Sequence, residues 1–127
     1  VSSGIAKGVR VVGEKFAIFL FTDEEMCMVH AFLYVKELNE KGIEAKLILE
    51  GKATAVPKLY ADGKGLVGKW YSVAKENGWI DCTCKACSAV TGSLEAAEKE
   101  GLRICSDLNG HVSMEKYVSQ GYRIIVL

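Results

Sequence analysis

The sequence predicts a single α/β domain in three layers, wound doubly around a mostly parallel sheet of five strands. Two runs, at residues 16–21 and 122–127, are apolar on both faces, as strands covered by helices on each side must be. Between them, short apolar runs alternate with helical periodicities in the order β-α-β-α-α-β-α-β-α-β. The connections are short, which favours right-handed crossovers between parallel neighbours. A sheet of this kind carries its functional crevice beyond the carboxyl ends of the strands.

Each element follows from local signals. Residues 1–14 hold glycines at 4, 8 and 13 and read as an N-terminal arm to a domain spanning 15–127. After the first strand, Thr22 with Glu25 three residues on reads as a capping box, with Asp23 and Glu24 set against the helix dipole. Met28, Ala31, Phe32, Val35 and Leu38 then recur at helical spacing up to Gly42. Residues 45–49 give the second strand and 53–60 a short helix, with Pro57 suited to a first turn. Residues 62–68 read as a glycine-rich loop. Val67, Trp70, Tyr71 and Ala74 mark a further helix that stops near Gly78. Residues 79–81 form a third strand leading into the cysteines. A helix over 94–100 ends at Gly101. A strand over 102–105, a polar loop over 106–111 and a short helix from Ser113 to Val118 precede the last strand. Thr22, Gly51, Cys82 to Cys87 and Ser106 all fall at the carboxyl edge.

Composition narrows the function. Sixteen Lys and Arg balance sixteen Asp and Glu, which argues against a nucleic-acid partner held by a basic field and favours self-association. No apolar run approaches the ~20 residues that span a bilayer, so no membrane partner is expected. The 127 residues can bury a core without staples, and the five cysteines are clustered rather than spread. That pattern, with no leader-like apolar stretch at residues 1–15, points to a reducing, cytoplasmic setting.

The chemistry concentrates in Cys82, Cys84 and Cys87, spaced C-x-C-x-x-C. Cys82 and Cys84 share a face if extended, and Cys84 and Cys87 share one if a helical turn starts there. A thiol at a strand-to-helix junction is expected to have a lowered pKa and to be reactive, the second thiol resolving it. The alternatives are buried packing cysteines, or a zinc or iron–sulfur site whose missing ligand comes from Cys27, His30 or His111. Cys27 and Cys105 are expected in the core. His30 is expected at the surface, and His111, in a polar loop at the functional edge, as the better general acid or base. Residues 63–69 match G-x-x-x-x-G-K, but Trp70 stands where a phosphate loop needs Ser or Thr, and no strand precedes it.

Over residues 15–127 the chain resembles the DsrE/DsrF-like sulfur-relay family. The resemblance rests on the apolar first strand and its helix, the glycine-rich middle, the eight-residue spacing of Cys84 and Gly92, and the closing stretch 115–127. It departs from the family in carrying Cys82 and Cys87 beside Cys84, and a shift of two positions matches Cys82 to the family cysteine. The resemblance implies a DsrE-like fold. It also implies a sulfur carrier in which Cys84 accepts sulfane sulfur as a persulfide, with Cys82 or Cys87 as helper. Donor and acceptor proteins would be its partners, no cofactor would be needed, and assembly into homo-trimers or homo-hexamers is expected. Zinc or iron–sulfur binding by the cysteine cluster, or a non-catalytic interaction subunit, are the alternatives.

Overall fold

The computed structural model describes residues 13–127, so the expected arm over 1–14 lies almost wholly outside the described residues. Five strands, β1 (Lys15–Leu20), β2 (Glu44–Leu49), β3 (Ile80–Cys84), β4 (Ile104–Cys105) and β5 (Tyr122–Val126), form one sheet in the order β4-β3-β2-β1-β5. Every pairing is parallel. The chain steps outward from β1 to β4 and then returns to the far side of β1, which is the doubly wound path expected.

The inner strands β1 and β2 are apolar on both sides because both sides are covered. In contrast β5, expected to be buried on both faces, is an edge strand that buries Tyr122 and leaves Arg123 and Val126 exposed. Ile18, Leu20, Leu47 and Leu49 face α1 (Glu25–Glu40) and α3 (Gly65–Glu76), which bring Met28, Ala31, Phe32, Val35, Val67, Tyr71 and Ala74 into one core. α5 (Leu94–Lys99) lies on this side as well, tied to α3 where the Tyr71 hydroxyl donates to Glu100 at 2.9 Å. The alternate residues Ala17, Phe19 and Ile48 face a second, smaller core with Cys82, Cys84, Cys105, Val112, Tyr117 and Tyr122. The short helix α6 (Glu115–Val118) covers it, with Phe19 and Tyr122 both edge-on to Tyr117.

Several boundaries differ from the sequence expectation. The cap of α1 is Glu24, whose carboxylate accepts from the Met26 and Cys27 N–H groups at 3.2 and 2.9 Å. Thr22 instead accepts from the Glu24 N–H one step earlier. A carboxylate can satisfy two of the orphan donors, a hydroxyl usually one. The helix expected over 53–60 divides into a 3-10 turn (Gly51–Ala55) and α2 (Val56–Tyr60), with Pro57 in its first turn. The glycine-rich stretch expected as a loop already opens α3 at Gly65. Gly68 lies inside that helix and has to be glycine, because a Cβ there would sit 2.6 Å from the Gly63 carbonyl carbon. Cys27, expected in the core, is exposed, because it lies on the solvent side of α1 opposite the face that buries Met28 and Phe32. The third strand runs on through Cys82 to Cys84, so two of the clustered cysteines are strand residues.

Candidate functional site

Four side chains from three strand ends converge at the carboxyl edge. Glu50 follows β2 directly, in extended backbone, and is 4 % exposed. The chain then turns away at Gly51. Its φ of +52° and the Phe21 carbonyl oxygen 3.1 Å from any added Cβ leave room only for glycine.

Cys84 ends β3 and caps α4 (Lys85–Thr91). Its sulfur accepts from the Cys87 N–H at 3.4 Å, and α4 closes at Gly92 in the left-handed conformation. Thr83 and Ser88 pair their hydroxyls at 3.3 Å within the fold, and Thr54 and Thr91 pair at 2.9 Å, fixing α4 against the 3-10 turn. Cys87 lies in the first turn of α4 and is half-buried.

His111 arrives on a device that the polar-loop reading missed. Leu108 and His111 bond to each other through both backbone groups at 2.8 Å, forming a tight hairpin turn. The two central residues, Asn109 and Gly110, have φ of 49° and 92°, as the primed turns require. The Asn-Gly pair was the signal for it. The Gly110 carbonyl accepts from the Ala86 N–H at 2.9 Å, which clamps the hairpin onto α4.

The result is a compact donor set. His111 Nδ1 lies 3.2 Å from Cys84 Sγ and 3.5 Å from Cys87 Sγ. The Cys87 thiol donates to Glu50 Oε1 at 3.5 Å, and the other Glu50 oxygen accepts from the Val112 N–H at 3.1 Å. Glu50 and His111 approach to 4.0 Å. One donor atom from each of Glu50, Cys84, Cys87 and His111 falls within 4.8 Å of the others. Glu50 is the member the sequence reading did not name. A single acid after an apolar strand looks like any solvated loop residue, and its burial is produced by α4 and the 111–112 backbone.

The cysteines divide. Cys84 is wholly buried, and burial, with the Glu50 carboxylate adding to it, pushes its thiol up to about 12 despite the opposing Cys87 N–H. This corrects the expectation of a lowered Cys84 pKa: the low-dielectric junction and an adjacent carboxylate outweigh the backbone donor. Cys82 does not join the site. It is buried under α6, 3.5 Å from the Tyr117 hydroxyl, and burial with its Cys105 neighbour lifts its thiol to about 12. Cys105 is buried, as expected, and is contacted by the Lys116 ammonium at 3.3 Å. Cys27 and His30 stand apart from the donor set on the exposed side of α1, beside Met26, Tyr34 and Leu127.

Comparison with known proteins agrees with the fold and adds kinship. No family model matches the chain. The solved structure of the conserved protein of unknown function BT1422 from Bacteroides thetaiotaomicron superposes with a TM-score of 0.68. It covers 93 % of this chain and 100 % of that one, at 15 % identity, which is a likeness of fold. An uncharacterized protein of Archaeoglobus fulgidus is 62 % identical over 61 residues, covering 48 % of this chain and 98 % of that protein. The uncharacterized protein MJ0733 of Methanocaldococcus jannaschii is 37 % identical over 100 residues, 79 % of each chain. On that identity and coverage, the chain belongs to the same family as MJ0733.

Proposed function

We propose that the protein is a thiol-based sulfur carrier, in the manner of the DsrE/DsrF-like relay proteins it resembles, with Cys87 as the acceptor and Cys84 as its partner. The observation that carries this reading is the pair of thiols around one imidazole nitrogen, with Cys87 half-buried at the crevice and Cys84 wholly buried behind it. Access decides the order: a donor protein reaches Cys87 first. His111 Nδ1 takes the Cys87 proton, and the thiolate attacks the terminal sulfur of a donor persulfide. The donor's S–S bond breaks, the donor departs as a thiolate, and Cys87 carries the sulfur as a persulfide with no net redox change. An acceptor thiolate removes it by the same step in reverse. This chemistry needs a reducing compartment and no cofactor.

The test is to load the reduced, metal-free protein with a persulfide donor and map the added sulfur by mass spectrometry. Cys87 should gain ~32 Da. Cys87→Ser should abolish the gain, while Cys105→Ser should leave it. Loading at Cys84 in wild type, with Cys87 unmodified, would reverse the assignment. Self-assembly into trimers or hexamers belongs to the same reading. It is supported by the exposed Met26 and Tyr34 on α1, and a monomer mass by light scattering would exclude it.

A further inference from the structure

We infer that Glu50, Cys84, Cys87 and His111 form a binding site for a single zinc-class divalent ion. The reasoning begins with the spacing. An ion held tetrahedrally, with sulfur at about 2.3 Å and nitrogen or oxygen at about 2.0–2.2 Å, places its ligand atoms roughly 3.3–3.8 Å apart. Four of the six donor-atom pairs here stand at 3.2, 3.5, 3.5 and 4.0 Å, and all six lie within 4.8 Å. Shifts of no more than about an ångström bring all four onto a tetrahedron.

The second observation is the carboxylate. Glu50 is buried, yet among the described residues its one ion-pair partner is His111 at 4.0 Å, and neither Lys nor Arg reaches it. A buried carboxylate is expensive without a positive partner. An ion between Glu50 and the thiols supplies it.

The donor types select the ion. Two thiolates, an imidazole and one carboxylate suit zinc, and they disfavour magnesium and calcium, which want oxygen ligands. The supporting contacts are also of the right kind. Glu50 keeps its second oxygen on the Val112 N–H, and Cys84 keeps the Cys87 N–H on its sulfur. Binding requires the thiols to give their protons to solvent and the imidazole to ligate through an unprotonated nitrogen. Two thiolates and a carboxylate then face a doubly charged ion.

This goes beyond the sulfur-carrier reading: it shares the two sulfur–imidazole contacts and adds the buried Glu50 carboxylate. Metal and sulfur compete for Cys87, so the metal-free reduced protein is the form that accepts sulfur.

Cobalt(II) is the probe. Reduced, chelator-treated protein titrated without oxygen should bind cobalt stoichiometrically, with the visible bands of a tetrahedral ion and near-ultraviolet thiolate-to-cobalt charge transfer. One equivalent of zinc should erase both. Cys84→Ser, Cys87→Ser, His111→Ala and Glu50→Gln should each weaken cobalt binding by more than about 100-fold, beyond the range for a supporting contact. Cys82→Ser and Cys105→Ser should bind as tightly as wild type. An absence of uptake by the wild type, a weak octahedral spectrum, or equal loss in Cys82→Ser would overturn the site. Wild-type protein gives a check that depends on no variant: zinc should protect Cys87 from alkylation but leave Cys27 open, and unchanged Cys87 labelling would count against the site. Cobalt uptake with failed sulfur loading defeats the carrier reading alone, and the converse defeats the metal site alone.

Discussion

Two carboxylates flank the second core, Glu50 buried and Asp81 half-buried, and the molecule treats them oppositely. Asp81, on β3 at the far side of Cys82, is surrounded by positive partners. Arg103 reaches it at 2.6 Å and Lys46 at 3.3 Å, and the Tyr117 hydroxyl donates to it. Glu50, at the carboxyl edge, meets one backbone N–H, one thiol and one imidazole. Each carboxylate lies near a pair of cysteines, Cys82 and Cys105 in the first case, Cys84 and Cys87 in the second. The difference teaches which pair is structural. Where the protein supplies its own cations, the cluster is closed and holds β3, β4 and α6 together. Where it supplies thiols and a histidine, the buried carboxylate has no Lys or Arg beside it among the described residues.

In the metal-free protein, the largest loss of stability should come from breaking the closed cluster. Asp81→Asn leaves Arg103 and Lys46 without their counter-charge. A fully buried pair broken this way costs roughly 3–5 kcal/mol. Because Arg103 is 60 % exposed, about 2 kcal/mol is expected here, read as a lower urea midpoint. Glu50→Gln should change the midpoint of metal-free protein by less than about 1 kcal/mol, since the amide oxygen still accepts from Val112. Equal losses in the two variants would erase the contrast.

Zinc should reverse the ranking. At a free concentration 100 times the dissociation constant it should stabilise wild type by about 2.7 kcal/mol, raising the melting temperature. Asp81→Asn should keep the same increment and Glu50→Gln should lose it.

Acid sharpens the comparison next. Burial by itself would raise the Asp81 carboxyl, but Tyr117, Arg103 and Lys46 together hold it below its ordinary 3.8. A depressed carboxyl contributes stability that is full above the unfolded value and is lost as pH falls through the folded one. Stability should therefore drop as the pH goes below about 4, and Asp81→Asn should flatten that part of the profile. The smallest effect is expected outside both clusters: Cys27→Ser, on exposed α1 surface, should shift stability by no more than about 0.5 kcal/mol and leave cobalt binding unchanged.

Much of this architecture was legible in the sequence, for a physical reason. Strands buried on both faces must be apolar throughout, so residues 16–21 and 45–49 announced themselves, and Met28 to Val35 traced one face of α1. Residues 122–127 gave a strand as well, but one at the sheet edge rather than between two covered faces. Cys84 and Cys87 were legible from their spacing, and His111 from its place at the edge. The rest depended on packing between distant segments. Glu50 is ordinary in sequence and becomes unusual when α4 and Val112 exclude water from it. Cys82 reads as one of three equal thiols until α6 seals it beside Tyr117. The cap of α1 moved because two acceptors two residues apart compete, and reach decides the winner.

The position of β5 bears on how the molecule opens. It is an edge strand, joined to β1 across more than a hundred residues of chain, and it closes the sheet with the Phe21 and Leu127 backbone bonds. Glu50, Cys84, Cys87 and His111 all lie between residues 50 and 111, carried by β2, β3 and the hairpin after β4. Peeling β5 away therefore disturbs none of the donors directly. In hydrogen exchange, the amides of β5 should open by a low-energy local event, while those of β2 and β3 wait for global unfolding. β5 completes the sheet, and every donor precedes it in the chain.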